Sequence, residues 1–461
     1  MNDFFMKKIL LFLTFFHSLI VAFGCDDTAP HKELLTEPLS PNVISERILQ
    51  AKNAQLIPPL LIAPKAGLPI TALWGIHTKA NNRYTLKILH NPLDFTSQPM
   101  LFDEEDPMIY WSAASDSRGK IWIAWRTHDR NLAEDVVKVS YSSDDGQTWS
   151  TPTQIFSSHW QIILQQNSLV IDPNNNKYLI TKGVRKGSPL SLIRQLGSSN
   201  EWEDLGTIPG TDDRSTFDRF GVAANEKGHL AICLISFEGD LIIQESRDGG
   251  ITWTLLKGLK LPGKTLWNFW KVEKRNRMPD IIYHKNGLAV TWGVHTSEQI
   301  ETNVFKEYVD LFFSMFDSEN KKWMKPVSIN DIRNTAEITL SLGDIHKSTR
   351  ELIKRDCERS RPVSFRYPSL FITKNGHMVV LWRQFRNNRL ALVMSISDQN
   401  CLLWSPNFVL NEDDTGDICR FNGYLHKDFS ILTVVYNQWP DKEKIEISDD
   451  LKIKAFNIQL F

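Results

Sequence analysis

Short apolar runs recur along the chain, and a turn signal ends each of them. Glycine- or asparagine-containing turns at 116–119, 225–228 and 374–376 stand before three of these runs. Runs of about four to eight residues, rich in β-branched and aromatic side chains, predict β-strands. The pattern therefore predicts an all-β protein. Its clearest strand pairs are 120–126 with 136–141, 229–236 with 241–244, and 377–382 with 390–394.

Two of the predicted turns share one sequence pattern, S-x-D-x-G-x-T-W, at 142–149 (SSDDGQTW) and 246–253 (SRDGGITW). Ser and Asp side chains can bond nearby backbone N–H groups, and Gly can take a positive φ, so the pattern predicts a hairpin turn closed by Trp. This is the Asp-box (BNR repeat) pattern, and we expect its role to be structural. Its residues are Ser142, Asp144, Gly146, Thr148, Trp149, Ser246, Asp248, Gly250, Thr252 and Trp253.

Degenerate copies of this turn at 197–202, 314–323 and 395–404 set a rhythm of about 45 to 55 residues, which is typical of one four-stranded propeller blade. The prediction is an all-β, six- or seven-bladed β-propeller with Asp-box hairpins over residues 56–461. Residues 26–55 form a linker or a closing strand. Seven modules can be counted, and they begin near Pro58, Pro107, Ile162, Phe217, Pro279, Pro362 and Cys419.

Two insertions interrupt the rhythm. Residues 264–277 (KTLWNFWKVEKRNR) form a basic, aromatic segment that we interpret as a loop. Its Trp267 and Trp270 could stack on sugar rings, or could pack beneath the loop instead. Residues 331–361 are rich in charge and have helix-like apolar spacing around Ile345, Leu352 and Ile353, which predicts a short helix on one face.

The N-terminus reads as a signal peptide over residues 1–25, with a basic start, an apolar run and Gly24-Cys25 at its end. It resembles a bacterial lipobox, which implies lipidation of Cys25, and Asp26 resembles an inner-membrane retention signal. The expected location is the bacterial periplasm or cell envelope, with membrane contact only through the lipid. A plain secretory signal cut nearby is the alternative.

Composition narrows the function further. Charged residues make up 23% of the chain and the formal net charge is −1, so nucleic acid is not an expected partner. No cysteine or histidine cluster has metal-ligand spacing, and we expect neither metal nor cofactor. Export permits disulfides, but the pairing stays open among Cys233, Cys357, Cys401 and Cys419.

The two full Asp boxes, the degenerate copies and the blade rhythm resemble the sialidase (neuraminidase) superfamily over roughly residues 55–461. The resemblance implies an arginine clamp on a substrate carboxylate, a tyrosine nucleophile and an aspartic acid/base. By position, Tyr424 and Asp129 match the catalytic roles. The positions that match or could complete the arginine clamp are Arg366, Arg126, Arg214 and Arg219.

Each of these residues also has a structural interpretation: Arg366 pairing with a local acid, Asp129 in an ion pair, Tyr424 buried in a strand, and Arg214 and Arg219 as rim charges. Glu105 stands where the family's first arginine is expected. Three functions therefore stay open. They are an exo-α-sialidase-like glycoside hydrolase acting on sialosides or a related acidic sugar, a non-catalytic propeller that binds glycan or protein partners, and a membrane-tethered assembly factor.

Overall fold

The structure is a computed structural model, and within several strands it describes the backbone alone. The residues it describes contain strands and turns, with no helix. Nor do they contain an apolar helix long enough to cross a membrane. The described residues are 33–34, 41–50, 59–62, 70–78, 83–94, 100–102, 108–129, 134–158, 164–183, 189–197, 199–211, 220–236, 240–259, 272–301, 304–331, 335–339, 366–386, 389–412, 417–426, 431–439 and 450–458.

The first four blades are four-stranded antiparallel sheets whose strands follow chain order. Each blade runs from an inner first strand to an outer fourth strand. Blade 1 contains β3 (Leu60–Ile62), β4 (Thr71–Thr78), β5 (Arg83–His90) and β6 (Met100–Phe102). Blade 2 contains β7 (Ile109–Ser115), β8 (Ile121–Asp129), β9 (Glu134–Ser142) and β10 (Thr153–Ser158). Blade 3 contains β11 (Leu164–Ile171), β12 (Lys177–Gly183), β13 (Leu190–Gln195) and β14 (Glu203–Thr207). Blade 4 contains β15 (Gly221–Ala224), β16 (Leu230–Ile235), β17 (Leu241–Ser246) and β18 (Thr254–Leu255).

The remaining blades vary this plan. Blade 5 has long strands, and three short strands pair with its third strand. They are β19 (Val272–His284), β20 (Gly287–Glu301), β21 (Val304–Asp317), β22 (Lys322–Trp323), β23 (Val327–Ser328) and β24 (Thr335–Thr339). Blade 6 contains β25 (Arg366–Ile372), β26 (Met378–Arg386), β27 (Arg389–Ile396) and β29 (Phe408–Val409). Blade 7 begins with β30 (Asp417–His426), β31 (Ile431–Trp439) and β32 (Asp450–Ile458).

The N-terminal segment supplies the outer strand of blade 7. β2 (Pro41–Gln50) pairs antiparallel with β32. Before it, β1 (Glu33–Leu34) pairs in parallel with β28 (Leu403–Trp404), which follows the third strand of blade 6. The N-terminal β2 and the C-terminal β32 therefore pair in one sheet, and β2 gives the last blade its fourth strand.

Seven apolar clusters hold the blades together, and each cluster draws on two neighbouring blades. The cluster that closes the ring joins Leu451 and Ile453 of blade 7 to Leu61 and Trp74 of blade 1. Because strand side chains alternate between the two faces of a sheet, each blade buries both faces against its neighbours. The protein is thus a seven-bladed β-propeller. Of the two blade numbers that the sequence left open, seven is the one the structure has.

Antiparallel pairing gives the propeller two distinct ends. In each blade, one turn joins the first strand to the second and another joins the third strand to the fourth. These turns lie at one end of the propeller, here called the turn face. The starts of the first strands and the second-to-third connections lie at the other end, here called the loop face. Bonds between neighbouring blades join first turns at the turn face: Ser117 N–H donates to Asn175 Oδ1 at 2.8 Å, and His284 lies 3.2 Å from the Gly376 carbonyl.

The turns at 142–149 and 246–253 have the same hydrogen bonds and lie on the turn face. In the second of them, Gly250 N–H donates to Ser246 Oγ at 2.8 Å, and Thr252 N–H donates to Asp248 Oδ1 at 2.9 Å. Trp253 Nε1 closes the turn on the Gly250 carbonyl at 3.0 Å. Gly250 has φ +94°, and a Cβ there would lie 2.2 Å from Leu192 of blade 3. Glycine is therefore required both by the backbone conformation and by the neighbouring blade.

Three features of the structure correct or refine predictions made from the sequence. The insertion 331–361 begins with a strand, because β24 pairs with β21, while the helix-like positions near 345–353 lie outside the described residues. The basic segment 264–277 is not entirely a loop, since β19 begins at Val272. Cys233 and Cys401 are buried free thiols, so neither belongs to a disulfide.

Candidate functional site at the loop face

Arginines gather at the loop end of blade 6. Arg366 is the first residue of β25, and its Cα stands opposite Arg383 of β26. Arg386 ends β26, and Arg389 begins β27. The predicted strand over 377–382 continues further than expected, which places Arg383 inside the sheet. One end of one blade therefore carries four arginines.

Among the three of these arginines whose side chains are described, Arg383 is the most deeply buried, with 2% of its surface exposed. Its Nη1 donates a hydrogen bond to the Ile418 carbonyl of blade 7 at 3.0 Å. The guanidinium is thus held against the first strand of blade 7. A guanidinium offers five donors in a planar fork, which matches a carboxylate better than an ammonium does.

The other two arginines of blade 6 are tied to its rim. Arg386 forms an ion pair with Asp331, which also accepts a hydrogen bond from Asn407 Nδ2 at 2.9 Å. Arg389 Nη2 donates to the Glu412 carbonyl at 2.7 Å. These contacts fix the two side chains. By strand order, Arg366 on β25 and Arg383 on β26 lie nearer the axis than Arg389 on β27.

Arg126 of blade 2 lies at the same end of the propeller but is neutralised. Its Nη2 lies 3.0 Å from Asp135 Oδ2 and 3.1 Å from Oδ1, and both side chains are buried. A buried pair of this geometry satisfies its own charge, and breaking it would leave an uncompensated ion. Arg126 is therefore a structural residue of blade 2 in this geometry rather than an open anion clamp.

Asp280 is a half-buried residue on the first strand of blade 5, and neighbouring backbone encloses its carboxyl. Its Oδ2 accepts the Leu370 N–H of blade 6 at 2.8 Å, and its Oδ1 accepts the Ile281 N–H at 3.0 Å. A Cβ at Gly221 of blade 4 would lie 3.0 Å from the Asp280 Cα, which shows how closely the blades enclose it. Burial raises the pKa of Asp280 to about 6, although both hydrogen bonds lower it.

The hydrogen bond that Asp280 accepts from Leu370 belongs to a recurring arrangement on the wall of the central channel of the propeller. Inner strands present unpaired N–H groups toward the axis, and an unpaired buried donor is costly. In blade 3, Ser112 Oγ of the preceding blade accepts the Leu169 N–H at 3.1 Å. In blade 1, Asn422 Oδ1 of blade 7 accepts the Leu61 N–H at 3.1 Å. Asp280 is the one member of this described set that can ionise.

Tyr424, the predicted nucleophile, does not lie with the arginines. It stands opposite Thr433, two residues before β30 ends at the turn face. Its ring packs against the apolar cluster between blades 7 and 1 and meets His426 edge-on at 4.9 Å between centroids. Arg366 begins its strand at the loop face, whereas Tyr424 lies two residues from the turn-face end of its own strand, so the two positions are offset by about four residues, or about 13 Å, along the strand direction.

The structure describes several of the predicted site residues only in part or not at all. Arg214, Arg219, Trp267, Trp270 and Cys25 lie outside the described residues. The backbone of Asp129 ends β8 at the loop face, opposite Glu134, and its side chain is not described. Within the described ranges, no cluster of three or more His, Cys, Asp or Glu side chains could hold a metal ion.

Two residues were missed as candidates from sequence, and both had a local signal. Arg383 closes an apolar strand (HMVVLWR), where a cation has to leave the core or find an acceptor. Asp280 interrupts an otherwise apolar run (MPDIIYH). A charged residue inside such a run indicates either a partner or a function, but only the fold shows which acceptor or donor it meets.

Comparison with known proteins gives matches of structure only. No family model and no curated protein matches the chain. A Dyadobacter fermentans protein of unknown function is 12% identical, over 77% of this chain and 96% of that one, with a TM-score of 0.45. The NanB sialidase of Streptococcus pneumoniae is 10% identical over 82% and 71%, with a TM-score of 0.44. The Penicillium chrysogenum α-L-arabinanase is 13% identical over 76% and 93%, with a TM-score of 0.41. At these scores the matches carry no functional inference for this chain.

Proposed function

We propose that the loop face binds an acidic sugar through its carboxylate, with Arg366 and Arg383 as the clamp. The observation that carries the proposal is their register: the two arginines stand directly opposite each other on neighbouring strands. Like charges at such positions destabilise a sheet. A carboxylate bound at these positions offsets that repulsion, and a guanidinium can donate two parallel hydrogen bonds to it.

The arrangement of Tyr424 favours binding over sialidase-type hydrolysis. A tyrosine nucleophile has to reach the anomeric carbon of the sugar whose carboxylate the arginines hold. Tyr424 lies at the turn face against an apolar cluster, whereas Arg366 lies at the loop face. The proposal is therefore a non-catalytic, glycan-binding propeller of the cell envelope.

Asp280 gives the second candidate, a glycosidase that does not use Tyr424. A carboxyl whose pKa is raised by burial to about 6 has the character of a general acid near neutral pH. It lies on the channel wall, and its partner Leu370 is four residues, or about 13 Å, along β25 from Arg366. This candidate requires a second carboxylate near Asp280, and none has been assigned.

The remaining features of the proposal concern the scaffold and its location. The turns at 142–149 and 246–253 are Asp boxes, and their paired hydrogen bonds support that identification. The chain is an exported bacterial lipoprotein attached through Cys25 to the inner membrane, as the signal sequence and Asp26 indicate. The glycan site and the anchor are independent of each other and can fail separately.

Equilibrium titration of the mature protein tests the proposed site, with N-acetylneuraminic acid and glucuronic acid as probes and galactose as the neutral control. We expect acid-selective binding that weakens with salt, because the attraction is electrostatic. Arg383→Met should weaken binding by about tenfold to a hundredfold, since a hydrogen bond to a charged group is worth about 1.5–3 kcal/mol. Arg118→Met, an exposed arginine of the turn face, is the matched control.

Two results would overturn this assignment. One is equal affinity for galactose and the acidic sugars, and the other is a loss of affinity in Arg118→Met as large as in Arg383→Met. A fluorogenic sialoside assayed beside the titrations separates the two candidates. Binding without turnover supports the binding protein. Turnover that Asp280→Asn abolishes and Tyr424→Phe leaves unchanged supports the glycosidase.

A further inference from the structure

The described part of the chain enters the propeller at the turn face. β1 pairs with Leu403–Trp404, directly after the third-to-fourth strand turn of blade 6. β2 begins at Pro41, which stands opposite Ile458, the last residue of β32. Because β32 runs toward the turn face, both N-terminal strands place the start of the folded chain at that end.

Exposed apolar side chains collect at the same end. The described ranges contain six large apolar side chains that are exposed. Five of these six lie in turns of the turn face or in the first three residues of an outer strand. Ile251 of the 246–253 turn is the most exposed, at 61%. The exception, Ile48, lies toward the loop end of β2 and is 54% exposed. The five are Val43, Leu196, Ile251, Leu255 and Leu402.

The turn face also carries exposed charges of both signs, with the acids Glu226, Asp248 and Glu319 in the same turns as its cations. First-to-second strand turns in four of the blades each contain an exposed lysine or arginine. Anionic phospholipids attract such residues, and apolar side chains among them can enter the headgroup region. The cations are Arg118, Lys227, Lys285 and Lys374.

Chain length limits how far this face can stand from a lipid attached at Cys25. Seven residues separate Cys25 from Glu33, so the eight steps from Cα to Cα span at most about 29 Å when fully extended. The strands of a blade are about 20–30 Å tall. A linker of this length reaches a bilayer easily from the turn face, whereas turning the loop face to the membrane would require it to pass around the whole blade.

We propose that the turn face is a membrane-contact surface, which rests on an anionic phospholipid bilayer and points the loop face away from it. The inference depends on the lipidation of Cys25 proposed above, and it is independent of the sugar site. Five exposed apolar side chains and four cations supply the contact, and the lipid holds them at the surface. The loop face then points toward solvent and approaching glycans.

The test uses full-length lipidated protein on vesicles of phosphatidylethanolamine and phosphatidylglycerol. An environment-sensitive fluorophore is placed by Ile251→Cys or, as the matched control, by Ile48→Cys, with Cys357 and Cys419 replaced by serine. The two isoleucines have similar exposure and lie toward opposite ends of the fold. Nitroxide-labelled lipid should quench the label at 251 several-fold more than the label at 48.

Equal quenching at the two positions, or stronger quenching at 48, overturns the orientation. Hydrogen exchange of the unaltered lipidated protein gives a second readout, and vesicles should protect residues 246–253 and 395–404 relative to detergent. Protection confined to the loop face also overturns the inference. A mature protein whose mass lacks an acyl group at Cys25 overturns both the anchor and the orientation, and it leaves the sugar titrations untouched.

Discussion

Replacing Asp280 by asparagine should remove a large part of the pH dependence of stability. Burial raises the pKa of Asp280 from 3.8 to about 6, so the folded state favours the protonated acid. A group with a raised pKa contributes stability that is complete below its unfolded pKa and is lost as pH rises through its folded pKa. The wild-type protein should therefore lose this contribution between about pH 4 and about pH 6.

The magnitude follows from the size of the pKa change. The difference from 3.8 to about 6 is about two pKa units, and one unit is worth about 1.4 kcal/mol, which gives about 3 kcal/mol. The asparagine side chain of the variant has no charge to bury. Its carbonyl can still accept the Leu370 N–H, while its amide cannot accept the Ile281 N–H. The lost bond costs about 1 kcal/mol at every pH and so does not affect the slope.

Urea unfolding monitored by tryptophan fluorescence measures this difference. The free energy of unfolding of Asp280→Asn minus that of wild type should rise by about 3 kcal/mol between about pH 4 and about pH 8. Other titrating groups cancel in the subtraction. Two parallel stability curves, with the variant displaced by a constant amount, would show that Asp280 has an ordinary pKa and would refute the reasoning.

Three further predictions concern the turns and the thiols. Gly250→Ala should destabilise the protein by about 3 kcal/mol or more, because it combines a positive φ with overlap on blade 3. Gly258→Ala, where φ is +95° and the space is open, should cost about 1 kcal/mol. Equal midpoints of the two variants in urea would contradict this. Burial raises the pKa of Asp248, but hydrogen bonds from Thr252 and Ser246 outweigh burial and hold that pKa at about 2. Asp248→Asn should therefore flatten the loss of stability below about pH 4. An acid-unfolding slope equal to that of wild type would count against this prediction. Cys233 and Cys401 should react with a thiol reagent only after unfolding, since burial raises the pKa of both thiols; rapid labelling of the native protein at either position would be inconsistent with the fold.

Much of the blade plan could be predicted from the sequence because each blade is built from local pairings. Alternating apolar strands and compact turns carry their own signal, and the module starts near Pro107 and Ile162 fall two residues before β7 and β11. The closing strand has no such signal. β2 pairs with β32, which lies some four hundred residues further along the chain, so its partner depends on the assembled ring.

The site was less predictable, since its chemistry depends on which end of a strand a residue occupies. A motif match gave Tyr424 the role of nucleophile and left open whether it meets the arginines; its position two residues before the end of β30 places it toward the turn face. In the sequence, Asp280 is one carboxylate among many. Only the fold shows that blades 4 and 6 enclose it. The insertion 331–361 combines polar and apolar residues, and its first part joins blade 5 as β24 because β21 extends far enough to pair with it.

The central claim is that Arg366 and Arg383 hold one carboxylate, and a double-mutant cycle tests it most directly. Isothermal titration with N-acetylneuraminic acid would compare wild type, Arg366→Ala, Arg383→Met and the double variant. If both arginines bind the same group, each single variant weakens binding by at least about tenfold, and the double variant loses clearly less than the sum of the two. Single variants that bind the acid as wild type does would contradict the claim.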